Sequence, residues 1–595
     1  MTEKTWLIGK DAALEDSIER MLSRLAELGF EPEEVNWLNP VPHVWSVHIR
    51  DRHCPMLFTN GKGASRKAAL ASALGEFVER LATDYFFSDY FLGYAATGGA
   101  FVHAPDERWF TFAPDDEHLP DGLFDPCCRA TYDPEGRLRP AHLVDLNTAD
   151  PDRGIVALPF RRLNDDQQVW LPVNVLANLY ASNGMAAGNT PAEARTQALS
   201  EILERYVKNL VIAEGISLPA IPPAVLDRYP QVKRAIAALE SAGFELRLCD
   251  ASLAGHFPVI NVTLFDPRNG GVFASFGAHP RFEVALERTV TELLQGRDLD
   301  ALDGFQPPLA DLEAVADPHN LETHFIDSSG RLAWAMFRDE PDFPFVDWDF
   351  GGPTDREFET LCRQLESRGG QVYIRDYLHL GLYACRIVVP GFSEVYPVDD
   401  LVEFNSNRGV SLFGPLLNLT DLDTAGCNDL AESLDDMGLD EYERPAELLG
   451  LACNPGSAWA SLRIGELKAW LALSISDFEQ ALHWIGWTLA VGGLAPPRRR
   501  LLQALQARLE LDLHPDLDPD DFCLTLPALF GPKTIREVDQ ILAGELRFPG
   551  LESPTRALKA LPKHAALLAA WSKVQAAKAT AARVTTGSQA GTSRA

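Results

Sequence analysis

The sequence is poor in basic residues and lacks the cysteine patterns of zinc-binding or disulfide-rich proteins. Lysine and arginine total 53 against 85 aspartates and glutamates, which gives a formal net charge of −32 over 595 residues. Sequence-independent binding of nucleic acid needs clustered Lys and Arg that displace counterions from phosphates, so we expect no direct nucleic-acid binding. The nine cysteines include no C-x-x-C, and Cys127 and Cys128 form the only close pair. This spacing indicates neither a zinc site nor a disulfide framework, and it suits a reducing compartment.

Long apolar runs are absent as well. No stretch of ~20 apolar residues occurs, and the amino-terminal MTEKTWLIGKDAALEDSIER lacks the apolar core of a signal peptide. We therefore predict a cytoplasmic protein with no membrane segment. The negative charge favours a basic protein or peptide as partner. A homodimer is the expected assembly only because symmetric dimers are common, without residue-level support.

The familiar motifs of nucleotide-binding and hydrolytic enzymes are also missing. The sequence contains no G-x-x-x-x-G-K-[ST], no G-x-G-x-x-G, no kinase catalytic loop, no G-x-S-x-G and no H-E-x-x-H. Its 14 histidines are dispersed without ligand spacing. Any ATP bound here must therefore be held by a different design.

Predicted secondary structure and composition divide the chain into two parts. Residues 1–400 alternate predicted strands and helices, whereas residues 444–510 and 534–575 are rich in Ala and Leu with few strand signals. The run GELKAWLALSISDFEQALHWIGWTLA is typical of two antiparallel helices and is similar to tetratricopeptide units. We predict an α+β body over 1–400, an all-α tetratricopeptide-like module over 401–575, and a disordered tail over 576–595.

Within the body, hydrophobic periodicity predicts individual elements. Helices are expected over residues 11–30, residues 64–84 and RFEVALERTVTELLQGR. Strands are expected at WSVHIRD, PMLFTNGKG, VWLPVNVLAN, the pair PVINVTLFDP and VFASFGAHP, and twice within residues 371–391.

Two of these helices carry the same acidic pattern. GASRKAALASALGEFVER and GNTPAEARTQALSEILER each place a glutamate thirteen residues after a glycine and end in Glu-x-x-Glu-Arg. Positions i, i+3 and i+4 share a helix face, so the glutamates of each set project together. The third helix places Arg288, Glu292 and Gln295 on one face in the same way.

These sets allow two interpretations. Glu and Arg at i, i+4 are ordinary surface partners that contribute a few tenths of a kcal/mol. However, the segments next to the first two sets are small and uncharged (AALASALG, TQALS), and each helix follows a glycine-bearing loop (NGKGAS, SNGMAAGNT, SFGAHP) whose backbone N–H groups could approach an anion. Clustered carboxylates suit Mg²⁺ and arginines suit phosphate, so a metal–nucleotide site is the alternative.

The order of these motifs resembles the YcaO superfamily. The resemblance rests on GKG-x10-LGE-x2-ER, SNGMAAGNT-x2-EA-x5-SE-x2-ER, ALERTVTELLQGR and RIVVPG, and it covers most of residues 1–400. It implies a YcaO-type ATP-binding body of mixed sheets and Glu-bearing helices, with ATP and Mg²⁺ as cofactors. In that family ATP phosphorylates a peptide-backbone amide oxygen.

The resemblance also implies roles for individual residues, which we carry over one by one. Metal and phosphate positions are Glu76, Glu79, Glu201, Glu204 and Glu292. Arg205 and Arg288 match phosphate-contacting arginines, while Arg80 is either a ligand or a helix partner of Glu76. Lys10, Ser17, Asn189 and Glu193 match nucleotide contacts, and Ala186 stands where serine is expected. No general base is identified.

Three functions stay open. Azoline-forming cyclodehydratases of the family often end in P-x-P-x-P, whereas this sequence ends in SQAGTSRA. The segments IGKDAALEDSI and LNPVPHVWSVHIRD resemble a branch of the family that assists β-methylthiolation of a small-subunit ribosomal protein by a radical-SAM methylthiotransferase. A non-catalytic ATP-binding scaffold is the third. We expect a fragment of residues 1–400 to bind ATP without the rest of the chain. We expect the helical module to recruit a protein through the helices that carry Trp470, Phe478, Trp484 and Trp487.

Overall fold

The computed structural model describes residues 4–94, 98–302, 304–554, 558 and 561–592, with the backbone alone for residues 585–592. Three antiparallel sheets and their covering helices build the body, and helices build the rest. The described strands are β1 Pro32–Val41, β2 Val44–Asp51, β3 Phe58–Gly63, β4 Arg108–Phe110, β5 Ile155–Arg162, β6 Gln168–Pro172, β7 Met185–Gly188, β8 Glu245–Asp250, β9 Val259–Asp266, β10 Gly271–Ala278, β11 Tyr373–Tyr377 and β12 Tyr383–Val388.

The described α-helices follow in chain order. Those of the body are α1 Leu14–Glu27, α2 Arg66–Ala82, α3 Pro126–Tyr132, α4 Val173–Tyr180, α5 Pro191–Glu214, α6 Pro223–Leu226, α7 Pro230–Ser241, α8 Phe282–Leu293, α9 Leu312–Ala316, α10 Pro318–Ile326 and α11 Thr354–Glu366. Those of the remainder are α12 Phe413–Leu417, α13 Thr424–Asp436, α14 Pro445–Leu448, α15 Ala458–Ser461, α16 Ile464–Ser474, α17 Phe478–Val491, α18 Pro496–Asp512, α19 Thr525–Phe530, α20 Pro532–Leu542 and α21 Pro562–Thr592.

Each sheet of the body carries one of the helices with the acidic pattern. The first sheet has the order β1-β2-β3, and α2 packs on it. The second has the order β4-β5-β11-β12-β7 with β6 on β5, and α5 packs on β12 and β7. The third has the order β10-β9-β8, and α8 packs on β10 and β9. Because α5 also contacts β10, the three helices converge between the sheets.

Most predicted elements of the body are confirmed. The strand pair β9 and β10 is antiparallel, as are β11 and β12, and all three acidic helices form, with the second continuing past the quoted stretch to Glu214. VWLPVNVLAN differs, because the strand ends at Pro172 and helix α4 begins at Val173. Proline has no N–H for a further ladder bond, which ends the strand at this point.

The carboxy-terminal part is helical, as predicted. In the described ranges no strand follows Val388. Helices α16 and α17 form the predicted antiparallel pair, and Trp470 is 1% exposed in a core built largely of leucines. The tetratricopeptide-like arrangement of this part stays a prediction.

The last helix returns to the body, which differs from the predicted boundaries. Helix α21 continues to Thr592 and therefore includes residues 576–592 of the predicted disordered tail, while residues 593–595 lie outside the described residues. Trp571 and Ala577 are buried in the same core as Phe30 and Phe77. Lys578 is 2% exposed, forms an ion pair with Asp84 and donates to the carbonyl of His103 at 2.6 Å. The small residues of this segment allow close helix packing, a property that composition alone cannot separate from disorder.

None of the helices in the described ranges combines the length and apolarity needed to cross a membrane.

Candidate functional site

A cleft of about 1200 Å³ lies between α2, α5 and α8. Its lining includes every predicted site residue except Glu204, so four distant segments of sequence meet at one place. The Glu204 carboxylate instead accepts a hydrogen bond from the Ala278 N–H at 3.1 Å. The residues that line the cleft are Lys10, Ser17, Glu76, Glu79, Arg80, Asn189, Glu193, Glu201, Arg205, Arg288 and Glu292.

Local sequence fixes where these helices begin. Ser65 caps α2 by accepting from the Ala68 N–H, and Thr190 caps α5 by accepting from the Glu193 N–H. Pro191 occupies the first turn of α5, where no backbone N–H is needed.

The glycines before the helices serve packing. A Cβ on Gly188 would lie 2.8 Å from the Ala194 backbone nitrogen, and one on Gly63 would lie 2.7 Å from the Ala68 Cβ. Strand and helix therefore approach too closely for a side chain. This explains the glycines without the anion-binding loop that their pattern suggested.

Basic side chains hold three of the glutamates at the centre of the cleft. Arg80 pairs with Glu76 and Lys62 pairs with Glu292. Arg205 contacts Glu201 at 2.8 Å. The basic partner comes from the same helix in two cases and from strand β3 in the third. Lys62 was missed as a site residue although it stands in the GKG motif, because its contact with Glu292 is made across the fold.

Burial and mutual repulsion also disfavour the charged forms of the groups at the centre of the cleft. Burial, followed by the charges of Glu201 and Glu76, raises the pKa of Glu79 well above its ordinary 4.5. Burial raises the pKa of Glu201 despite the adjacent Arg205. Burial lowers the pKa of Lys62 to about 8, with Arg288 acting in the same direction. A cation placed among these carboxylates would relieve the repulsion.

The residues of this centre fit Mg²⁺ and phosphate. Among the described residues no three acidic or His/Cys side chains already stand close enough to hold a metal, because Arg80, Arg205 and Lys62 occupy the glutamates. Arg80 Nε and Arg205 Nη1 are buried without a hydrogen-bond partner in the described chain. Displacement of the basic groups toward an anion would free carboxylate oxygens, the ligands that Mg²⁺ prefers, and satisfy these nitrogens.

Away from the centre of the cleft, at the start of α5, hydrogen bonds form a network around Glu193. This carboxylate is 5% exposed, contacts Lys10 Nζ at 3.2 Å and accepts from the Asp11 N–H at 2.9 Å. Asn189 donates to it at 2.9 Å and accepts from the Ser17 hydroxyl at 2.9 Å. The amino-terminal segment is thereby fastened to the start of α5.

Two further predictions concern Arg288 and Ala186. Arg288 donates to Gln197 at 2.7 Å from the wall of the cleft, and Gln197 is a lining residue that the sequence did not single out. Ala186 is fully buried in β7 opposite Cys385 and does not line the cleft.

Comparison with known proteins decides the family. A family model described as YcaO cyclodehydratase, ATP- and Mg²⁺-binding, matches residues 60–393, and one for the YcaO cyclodehydratase C-terminal domain matches residues 409–580. The chain is 51% identical over 580 residues to the ribosomal protein S12 methylthiotransferase accessory factor YcaO of Escherichia coli K12, covering 97% of this chain and 99% of that protein. The chain belongs to the YcaO family.

Two further proteins are similar to this chain. A protein of Haemophilus influenzae is 48% identical over 583 residues, covering 97% of this chain and 99% of that protein. The structure of YcaO from Methanopyrus kandleri bound with AMPPCP and Mg²⁺ is similar with a TM-score of 0.42 and 19% identity, over 68% of this chain and 97% of that one. The description of the YcaO family confirms ATP and Mg²⁺ as cofactors. The role of each residue stays a prediction.

Proposed function

We propose that this protein binds Mg²⁺–ATP in the cleft and uses it to activate a protein amide or to assist modification of a ribosomal protein. The more specific form is an accessory role in β-methylthiolation of ribosomal protein S12 by a radical-SAM methylthiotransferase. The observation that carries it is the 51% identity, over nearly the whole of both chains, to a protein of that name. The acidic cleft supports the ATP-dependent part.

In this proposal each region of the cleft has one task. Lys10, Ser17, Asn189 and Glu193 hold the nucleoside end, where the amino-terminal segment is already fastened. Arg205 and Arg288 neutralise phosphate oxygens, with Arg80 next to them. Bound Mg²⁺–ATP supplies a phosphoryl group for an amide oxygen, a reaction in which positioning and charge neutralisation do most of the work. The metal would be held by Glu76, Glu79, Glu201 and Glu292. Glu204 could bind it only after its hydrogen bond with the Ala278 N–H is broken.

Calorimetry on a pair of matched variants tests the site. We expect Glu201→Gln to weaken Mg²⁺–ATP binding by about tenfold or more, because it removes a charged ligand and leaves Arg205 unpaired. Glu214→Gln, an exposed position on the same helix, is the control and should bind like the wild type. EDTA should abolish binding. Equal affinity of the two variants would place the site elsewhere.

Complementation in cells tests the proposed accessory role in S12 methylthiolation. In a strain that lacks its own accessory factor, the wild-type chain should restore the methylthio group on S12, seen by mass spectrometry of the ribosomal protein, and Glu201→Gln should not. A wild-type chain that binds ATP but leaves S12 unmodified would refute the accessory role.

A second candidate is a peptide cyclodehydratase, because the family model that matches residues 60–393 is described as a cyclodehydratase. It predicts loss of one water from a peptide in the presence of Mg²⁺–ATP. A scaffold that binds ATP without turnover predicts no phosphate release under any of these conditions.

A further inference from the structure

The cleft continues past Arg205 into an end with a different chemistry. Tyr85, Ser182, Phe325, Ile326 and Tyr396 line it. The rings of Phe325 and Tyr396 meet edge to face, with centroids 6.3 Å apart. We call these five residues the aromatic end. None of them has a role in the proposed nucleotide site.

The two arginines of the acidic centre form the border of this aromatic end. The Arg80 guanidinium lies 5.2 Å from the centroid of the Tyr85 ring, and that of Arg205 lies 4.3 Å from the centroid of Phe325. Each guanidinium therefore contacts a glutamate on one side and a ring on the other. Each also keeps a buried nitrogen without a hydrogen-bond partner in the described chain.

Distance along α5 separates the two ends. Glu193 and Arg205 are three helical turns or more apart, about 18 Å at 1.5 Å per residue. An ATP molecule with its nucleoside at Glu193 and its phosphates at Glu201 leaves the space beyond Arg205 free. Whatever receives the phosphoryl group must approach from that side, because the nucleoside and the amino-terminal segment fill the other.

The backbone beside the aromatic end is strained. Ala181 has φ 44° and ψ −120°, a conformation seldom adopted by residues other than glycine. The buried Arg386 donates to the carbonyls of Ala181 at 2.9 Å and Leu176 at 2.8 Å, which holds this conformation and aims Ser182 into the cleft. Such strain is concentrated at binding and active sites.

The rim of the aromatic end is acidic. Glu322, Asp89 and Asp400 are near enough to Tyr396 for their charges to act on it, and Asp327, whose backbone carbonyl accepts from Arg297 at 2.6 Å, lines the cleft beside Ile326. Ile326 itself is 66% exposed. An apolar floor with an acidic rim fits a polypeptide that carries apolar side chains between lysines or arginines.

We infer that the aromatic end is the substrate subsite, and that its ligand is an extended segment of a basic polypeptide. This inference rests on the proposed function and identifies where its substrate binds. An apolar side chain of the segment packs on Phe325 and Tyr396, and a backbone carbonyl accepts from the guanidinium groups of Arg80 and Arg205. The amide to be activated then lies next to the terminal phosphate.

Photo-crosslinking of the full chain tests the subsite. The photoreactive residue p-benzoylphenylalanine is introduced at Ile326, or as control at Leu378, which is equally exposed at 66% but lies outside the cleft. Each protein is irradiated with purified ribosomal protein S12 and Mg²⁺–AMPPCP. We expect a crosslink to S12 at position 326 that is at least about tenfold stronger than at 378, and that Tyr396→Ala reduces by about tenfold. Unchanged Mg²⁺–ATP affinity of Tyr396→Ala will show that it is folded.

The outcomes separate the subsite from the function. Equal crosslinking at both positions, or none at 326 while the wild-type chain restores S12 methylthiolation in cells, overturns the subsite and leaves the function standing. A specific crosslink at 326 without restored modification supports the subsite and overturns the accessory role. Failure of both measurements removes both proposals.

Discussion

Glu79 is the carboxylate on which the protonation state of the cleft depends. Unlike Glu76, Glu201 and Glu292, it has no ion pair within the described part of the chain. Burial and the neighbouring Glu201 and Glu76 raise its pKa well above 4.5. The folded protein without metal therefore keeps a proton there that the unfolded chain has already lost.

This proton makes stability depend on pH with a defined sign. Where the folded state binds more protons than the unfolded state, the free energy of unfolding falls as pH rises, so we expect the metal-free protein to lose stability as pH rises above 4.5, the ordinary pKa of a glutamate. Thermal unfolding of wild type and Glu79→Gln measures it, and the variant should show a smaller decrease. Glu214→Gln should keep the wild-type slope. A slope unchanged in Glu79→Gln would mean that another group is responsible.

At the residue scale, helix periodicity and the family resemblance together predicted most of the cleft. The periodicity argument depends on spacing along one helix, and the resemblance depends on the order of motifs along the chain. Folding changes neither. Lys62 and Gln197 were missed because their roles come from contacts across the fold, with Glu292 and Arg288. Glu204 follows the helical pattern, but a backbone N–H of strand β10 engages it, which sequence spacing cannot show.

Among the elements, strand β7 and helix α5 depend on a glycine at their contact. Because a Cβ on Gly188 would lie 2.8 Å from a backbone nitrogen, we expect Gly188→Ala to lower the free energy of unfolding by about 1–3 kcal/mol. Gly486→Ala in helix α17 is the control, because nothing lies within 4 Å of its added Cβ. That variant should gain about 0.5–1 kcal/mol from helix propensity. Chemical denaturation measures both, and equal changes would refute the close contact.

Two of the segments that the sequence analysis missed or merged show no hydrophobic alternation of their own. Strand β1 has only one buried position, Val41, and its pairing to β2 is interrupted by irregularities, so PEEVNWLNPV shows no apolar face. The strand and helix within VWLPVNVLAN share one apolar run, and periodicity cannot divide ten residues between them. Strands β9 and β10 were predicted because each carries several apolar residues, and nearly every position of both is buried in the structure.

For the whole molecule, the return of α21 changes the expectation for a fragment of residues 1–400. That fragment contains every proposed ligand, yet it loses Leu567, Trp571 and Val574 from the core beneath α2. Each such side chain contributes about 1.5–3 kcal/mol, and a typical domain has only about 5–15 kcal/mol in total. We therefore expect the fragment to be unfolded and not to bind ATP.

Point variants in the full chain separate this effect from the loss of the helical module. Trp571→Ala should cost about 3–5 kcal/mol, while the neighbouring, exposed Ser572→Ala should cost almost nothing. Circular dichroism and calorimetry with Mg²⁺–ATP check fragment and variants alike. A folded, ATP-binding fragment would show that α21 is dispensable for the site.

The ion pair between Asp84 and Lys578 joins positions 494 residues apart. At about 5–20 residues per second, roughly 25–100 s of translation separate the synthesis of the two partners. During that interval the apolar surface that α21 later covers stays open on the emerging chain, beside helix α2. We therefore expect the nascent chain to bind chaperones until α21 has been synthesised, and a chain terminated before α21 to be degraded.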